Sequence, residues 1–436
     1  MLCLAAVPAR ADELPEGLSA SGSVRLRYEA IDGQARSGFN SADQLLNLRT
    51  QLLLTLRHHN LRLVTEIHDS RVWNADPGTP LTTNEVNAIE PVQAYLQADL
   101  GGILGPGTAT SVRAGRFTLD LGSRRLVAAD DYRNTTNGFT GLRGDIQSTS
   151  GIKATAIYVL PLTRLPDDGP SLRNNHIALD KESFASVLWG GFVARQAKGH
   201  PLLVEASFLH FGERDAPGRP TRDRSLNSLG GRIVVDPRPG HVDWGVEGIY
   251  QWGRISASAA AGAATLPVDA NFLRALVGYS VAAPWKPRLL VEVDRASGGA
   301  GPSYHRFDPL FGMRRADLGP AGLYNAIGRS NVLSPGVRLE VTPSARFDAF
   351  IGYRALWLAD RRDAFSTTGV RDPSGASGRF AGQQIDLRMR YWLLPKRLRF
   401  EADGVLLAKG RFLRDAPNAN AATATRYVCF NLTATF

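Results

Sequence analysis

From Ser19 onward the apolar positions recur every second residue rather than every third or fourth. Between Leu46 and Leu56, Leu46, Leu48, Thr50, Leu52, Leu54 and Leu56 fall on one face, while Asn47, Arg49, Gln51 and Thr55 fall on the other. Side chains alternate across an extended chain, so this pattern predicts a strand with one apolar and one polar face. The alternation recurs over 24–30, 61–67, 92–100, 242–252, 289–294, 347–357, 385–393, 398–408 and 428–436. Weaker versions occupy 109–118, 136–147, 151–160, 184–195, 202–211, 225–235, 270–281 and 332–342. Together they predict about eighteen strands of roughly ten residues, the length a tilted strand needs to cross a bilayer.

The connections decide what kind of β-fold this is. Counting strands in order, the links after even strands are short: 58–60, 148–150, 197–201, 237–240, 283–287, 343–344 and 395–396, with the Gly-rich 101–108 somewhat longer. The links after odd strands are mostly long and polar: 32–43, 70–91, 119–135, 163–183, 212–224, 254–269, 297–331, 359–381 and 410–424. A β-sandwich has no reason to place every long loop at one end. Short periplasmic turns alternating with long extracellular loops predict an all-β chain, a single transmembrane antiparallel β-barrel in a bacterial outer membrane. The chain closes on Phe436 after Val428, Phe430, Leu432 and Ala434 on one face, which resembles the C-terminal signature of bacterial outer-membrane proteins. Aromatic residues near strand ends, such as Tyr250, Trp252, Trp285, Tyr391 and Trp392, suit interfacial girdles.

Residues 1–11, MLCLAAVPARA, combine an apolar run from Leu2 to Val7 with Ala9-Arg10-Ala11, the small-x-small form of a signal-peptidase site. They are expected to be the remnant of a signal peptide whose start lies upstream, followed by a periplasmic segment over 12–22 and the barrel over 23–436. Composition adds little to this outline but limits it. No window holds about 18 consecutive apolar residues, which excludes a helical span and leaves a barrel untouched. The two cysteines, Cys3 and Cys429, lie near opposite ends and make neither a disulfide framework nor a paired-Cys metal site.

Charge matters through its placement. The formal net charge is +10, and much of the excess lies in loops, as at Arg214, Arg219, Arg222 and Arg224. If the apolar faces meet lipid, the alternate positions line the lumen. Arg25, Arg27, Glu29 and Arg49 then stand on the first strands, and Arg354, Asp386, Arg388, Arg390, Arg399, Glu401 and Asp403 on the last ones. Glu205, Asp243, Glu247, Glu292 and Asp294 stand between the ninth and thirteenth strands. Closure brings the last strand beside the first, so arginines are expected on one wall, carboxylates on the opposite one, and a field across the lumen. Arginine walls favour anions and read carboxylates with two parallel bonds. A second reading of the same charges is that they pair with one another and hold the barrel in shape. Loops 70–91 and 297–331 are long enough to fold inward or gate.

Four segments are similar to the alginate export family, which is built as 18-stranded outer-membrane barrels: GRFTLDLGSRRLVAADDYRNT (115–135) with FTGLRGD (139–145), HRFDPLFG (305–312), WLADRRDAF (357–365) and GQQIDLRMRYWLLPKRLRFEADGVLLAKGRFL (382–413). They follow the family's order. The resemblance implies an arginine-lined conduit for an anionic polyuronate that passes without chemistry. Carried over residue by residue, it assigns Arg116, Arg125, Arg133 and Arg143 to the pore lining. The lumen reading adds Arg49, Arg354, Arg388 and Arg390. Phe117 and Thr118 depart from the more polar residues usual after the first Arg, and the chain is short for the family.

The expected function is therefore passive transport of an anionic polysaccharide or small anionic solute by a monomer in outer-membrane lipid, with periplasmic export partners and no cofactor. The alternatives are a general diffusion porin and, further off, a barrel enzyme or adhesin using the long loops. No Gly-x-Ser-x-Gly occurs, the eight histidines show no ligand spacing, and His68-Asp69 is the only adjacent acid and imidazole pair. Glycine-rich ASGGAGP (296–302) precedes no Lys and no helix, so it is no phosphate cradle. Nucleic acid is not an expected partner, because no basic helix or zinc pattern accompanies the positive charge.

Overall fold

The computed structural model describes residues 15–299, 301–315 and 317–436. The signal-peptide reading of residues 1–11 lies outside the described residues. Eighteen strands follow one another. The first six are β1 (Leu18–Asp32), β2 (Ala42–His58), β3 (Leu61–Trp73), β4 (Asn87–Gly101), β5 (Thr108–Thr118) and β6 (Gly138–Ser148). Next come β7 (Ile152–Pro161), β8 (Ser186–Arg195), β9 (Leu202–Glu213), β10 (Ser225–Val235), β11 (Val242–Ser256) and β12 (Thr265–Ser280). The last are β13 (Arg288–Ala296), β14 (Val332–Ser344), β15 (Phe347–Trp357), β16 (Phe380–Leu394), β17 (Leu398–Lys409) and β18 (Ala424–Thr435). Each pairs antiparallel with its neighbours in sequence, and β18 returns to β1 with Val24 opposite Ala434 and Arg27 opposite Asn431. The sheet is thereby a closed barrel without edges. β1 starts at Leu18, ahead of the expected boundary at 23.

The two-residue period holds along the strands. Leu26 and Tyr28 of β1, and Leu52, Leu54 and Leu56 of β2, are exposed on the outside, where lipid replaces water. Between them Arg25, Arg27 and Glu29 point inward and are buried. Turns at the periplasmic end are tight. Gly151, between β6 and β7, has φ +86° and a Cβ there would lie 2.0 Å from the Gln196 carbonyl oxygen, so only glycine fits.

The inward face is not polar over its whole height. Toward the extracellular end it turns apolar: Leu45, Val72, Phe117, Phe139, Phe272 and Leu407 are fully buried there. They meet Leu318, Leu323, Tyr324 and Ile327 from 297–331, Phe365 from 358–379, and Phe412 and Leu413 from a short helix, Arg411–Asp415. The alternation rule assigns inward positions to water, whereas here the long loops fold back into the mouth and bring a core with them. Loop 297–331 is folded inward as a strap. The span 70–91 is shorter as a loop than expected, because β3 runs to Trp73 and β4 starts at Asn87, which leaves 74–86 as the connection.

Candidate functional site: two charged sectors of the lumen

Arg25 and Arg49 stand directly opposite each other on β1 and β2. Like charges in that position repel, and the segment 131–133 of the β5–β6 loop resolves the conflict with peptide oxygens. Arg25 donates to the carbonyls of Asp131 (3.0 Å) and Arg133 (2.5 Å). Arg49 donates to the same two carbonyls at 2.9 and 3.2 Å and to the Asp131 carboxylate at 2.9 Å. Arg27 takes the carbonyl between them, that of Tyr132 (2.6 Å), together with Asn431 Oδ1 (2.6 Å), and lies 4.4 Å from the Tyr132 ring. Three guanidinium groups thus grip three successive carbonyls. One carboxylate is within hydrogen-bond reach of them, and Arg49, with Arg25 behind it, holds the Asp131 carboxyl down at about 2. Glu29 is 3.9 Å from Arg27 and accepts from Asn47, Tyr427 and the Leu323 amide.

The carboxylates of the other side are arranged differently. Arg274 of β12 lies between Glu292 and Asp294 of β13, 2.6 Å from the latter. Arg354 of β15, expected on the opposing wall, bonds the same two acids. It can do so because the intervening strand β14 carries Gly336, whose absent side chain leaves the path open: a Cβ there would sit 3.1 Å from Arg354 Cγ. Loop residues complete the match. Asp317 of the 297–331 strap accepts from Arg125 (2.9 and 3.0 Å) and Arg329 and lies 3.5 Å from Arg274. Burial alone would raise the Asp317 carboxyl, but Arg125, Arg274 and Arg329 together hold it well below the usual range. Arg125 also bonds Glu247, Arg232 bonds Glu205 at 3.0 Å, and Arg288 bonds Asp243. Every carboxylate expected in this sector has an arginine.

The remaining predicted positions are scattered. Arg116 bonds Glu90 (2.5 Å) and Glu182 (2.7 Å), tying β5 to the loop before β8. Arg133 reaches Asn84 with its side chain (2.6 Å) and Asp130 at 3.1 Å. Arg143 forks onto Asp145 at 2.7 and 2.8 Å. Arg388 and Arg390 share Asp348 at 3.3 and 2.9 Å. The strap's Arg315 bonds Asp386 and Asp403 and lies over Phe350, whose ring also carries Arg338 and Arg388 at 4.6 and 4.9 Å. The structure therefore joins Arg49 to Arg133 through the loop backbone, and Arg125 to Arg354 through the acidic sector, while Arg116 and Arg143 stand apart.

Sequence reading missed Arg274, Arg315, Asp317 and Arg329. Arg274 carried a signal, being the single charge of the run Asn271–Ser280. The other three sit in a loop, where no period says which way a side chain turns. His68 and Asp69 illustrate alternation acting against a motif. His68 bonds Glu66 (2.9 Å) and Gln51 inside, while Asp69 bonds Arg71 and the Ile89 amide, so the two do not face each other. Among the described residues no cluster of His, Cys, Asp and Glu is arranged to hold a metal ion.

Comparison with known proteins agrees with this architecture. A family model described as alginate export matches residues 17–426. No curated protein sequence matches the chain. Among solved structures the barrel is similar to Pseudomonas aeruginosa OccK2 (OpdF), with 12% identity, TM-score 0.60, and coverage of 97% of this chain and 98% of that one. It is also similar to OccK5 (OpdH) of the same organism, at 12% identity and TM-score 0.56 over 97% and 98% of the two chains. OpdK, solved with vanillate, gives 11% identity and TM-score 0.58 over 96% and 98%.

Proposed function

The chain belongs to the alginate export family of bacterial outer-membrane barrels, and on that premise we propose that it is a channel through which an anionic solute, an acidic polysaccharide or a small organic anion, diffuses along lumenal arginines. The observation that carries this reading is the grip of Arg25, Arg27 and Arg49 on the carbonyls of residues 131–133. A peptide carbonyl fixes a guanidinium without cancelling its charge, so these groups are rigid and still cationic. Because Arg25, Arg27 and Arg49 are buried behind the 131–133 segment, they act on a passing anion through the field of their charge, which attracts it without holding it at a fixed site, as conduction requires. Arg388 and Arg390, two cations on one carboxylate, extend the same logic to β16. Arg116, Arg125, Arg133 and Arg143 belong to this proposal as the positions that the family pattern assigns. Passage needs no reaction, and the unit is the single barrel in its lipid.

The test is the reversal potential of the purified chain in a planar bilayer under a KCl gradient. Anion preference is expected, and it falls when Arg25 and Arg49 are changed together to Gln. A preference for potassium in the unaltered chain would overturn the reading.

A further inference from the structure

The periplasmic rim of the barrel is not the same all the way round. Beside the short turns of β2 to β10 the exposed apolar residues are aliphatic, as at Leu61, Ile103, Ile152 and Leu202. Around β11 to β18 they are largely aromatic: Trp244, Tyr279 and Tyr391 are exposed on the outer wall, and the Phe347 ring lies 6.5 Å from that of Tyr391. Rings with a polar edge settle where acyl chains meet headgroups.

Three successive turns run along this aromatic arc. Segment 281–287 carries Trp285 and Lys286, segment 342–346 carries Arg346, and segment 394–397 carries Lys396 and Arg397. None of the three contains Asp or Glu. Their backbones are fixed, because each turn offers one carbonyl to a strand of the following hairpin. The Trp285 carbonyl accepts from the Thr342 amide (2.7 Å), that of Arg346 from the Trp392 amide (2.9 Å), and that of Arg397 from the Thr435 amide (2.7 Å). Trp285 and Lys286 have φ of +71° and +46°, a region that residues with a Cβ occupy at a cost, and the Trp285 side chain is left 63% exposed. The basic side chains have no tie of their own. Lys286, Arg346, Lys396 and Arg397 are exposed, and none of these side chains makes a hydrogen bond or ion pair among the described residues.

The charged sectors of the lumen give their arginines carboxylates or carbonyls, whereas these four cations are bare. Hairpins repeat about every 10 Å along a sheet, two strand spacings, so Lys286, Arg346 and the Lys396–Arg397 pair are too far apart to close on one small ion. They suit a row of separate anions at one height. The rings beside them set that height at the headgroups of the inner leaflet, which in a bacterial outer membrane is phospholipid. An acidic protein would match the cations but would leave the adjacent lipid-facing rings unexplained. We propose that the turns between β12 and β17 form a binding edge for anionic phospholipid, with phosphate groups on Lys286, Arg346, Lys396 and Arg397 and the glycerol region against Trp285 and Tyr391. The edge lies on the outer wall and is independent of what the channel conducts.

The test is lipid association measured by spin label, with the full chain in phosphatidylcholine vesicles and trace spin-labelled phosphatidylglycerol or phosphatidylcholine as the probe. At low salt the motionally restricted fraction is expected to favour phosphatidylglycerol about fivefold, the effect of a basic residue near an anionic surface. Changing Lys286→Gln, Arg346→Gln, Lys396→Gln and Arg397→Gln together is expected to bring that preference near parity, while Arg361→Gln, Arg362→Gln and Arg371→Gln in the extracellular loops leave it in place. Salt supplies a second measurement that needs no variant: at about 1 M, where screening acts within about 3 Å, the preference of the unaltered chain should vanish. A preference that survives the four rim changes, that survives high salt, or that is lost equally on the extracellular changes overturns the proposal. Equal association of the two lipids at low salt also overturns it and passes the edge to an acidic periplasmic protein.

Discussion

The two charged sectors of the lumen are built from the same residue types and reach opposite electrostatic ends. On β1 and β2 the arginines are satisfied mainly by the carbonyls of residues 131–133. On β11 and β13 the carboxylates are satisfied by arginines drawn from β12, β13, β15 and the β5–β6 loop. A carbonyl supplies a dipole and leaves the charge of its partner in place, while an ion pair removes it. A balanced inventory of lumenal charges therefore does not mean a neutral lumen: what matters is which charges are given neutral partners. The anion preference proposed for this channel comes from the sector whose partners are mostly uncharged, where three arginines face only the carboxylates of Asp131 and Glu29.

The most disruptive way to break this contrast is Asp317→Asn. It leaves Arg125, Arg274 and Arg329 facing one another in a buried site, and removing one member of such a network is expected to cost about 3–5 kcal/mol. The denaturant midpoint of the chain folded in lipid should fall accordingly, and the surviving channels should favour anions more strongly. Replacing Arg25 and Arg49 by Gln acts on the other sector and is milder, on the order of 1–3 kcal/mol per residue, because what is lost is hydrogen bonds to neutral carbonyls and a single ion pair, Arg49 with the exposed Asp131 carboxylate. Its main effect is on selectivity, and an unaltered reversal potential would remove the basic sector from the mechanism. Gly336→Ala tests how the acidic sector is closed. The new methyl would lie 2.8 Å from the Tyr353 carbonyl oxygen and 3.1 Å from Arg354 Cγ, an overpacking expected to cost about 1–2 kcal/mol and to loosen Arg354 from Glu292. Proteolysis of the strap, faster in this variant, is the readout. The smallest effect is on pH. The Asp131 carboxyl is held at about 2 by Arg49, below its ordinary value of about 3.9. Its contribution to docking the 119–137 loop is thus full above about pH 4 and lost as pH falls toward the folded value. Conductance should stay flat down to about pH 4 and change below it, and Asp131→Asn should abolish that change.

Much of the barrel was legible because the bilayer imposes a simple code. Lipid on one side and the lumen on the other force a two-residue period, and the positions of all eighteen strands and the separation of short turns from long loops follow from it. The same code put Arg25, Arg27, Arg49 and Glu292 on the inward face. It could not say what those side chains would meet, because an inward direction is a property of one strand and a partner is a property of closure. Arg354 reads as a member of the basic wall until Gly336 lets it cross β14. Asp317 and Arg315, with no period around them, become the two ends of a strap only when the barrel encloses their loop. Phe117 and Phe272 violate the polar-inside rule for the same reason: the folded loops replace water in the extracellular half. The sequence by itself determined the strands, their order and the facing of their side chains, since these depend on local alternation against lipid. Only the tertiary structure decided which charges are cancelled and which remain, since that depends on groups brought within a few ångströms from opposite sides of a closed wall.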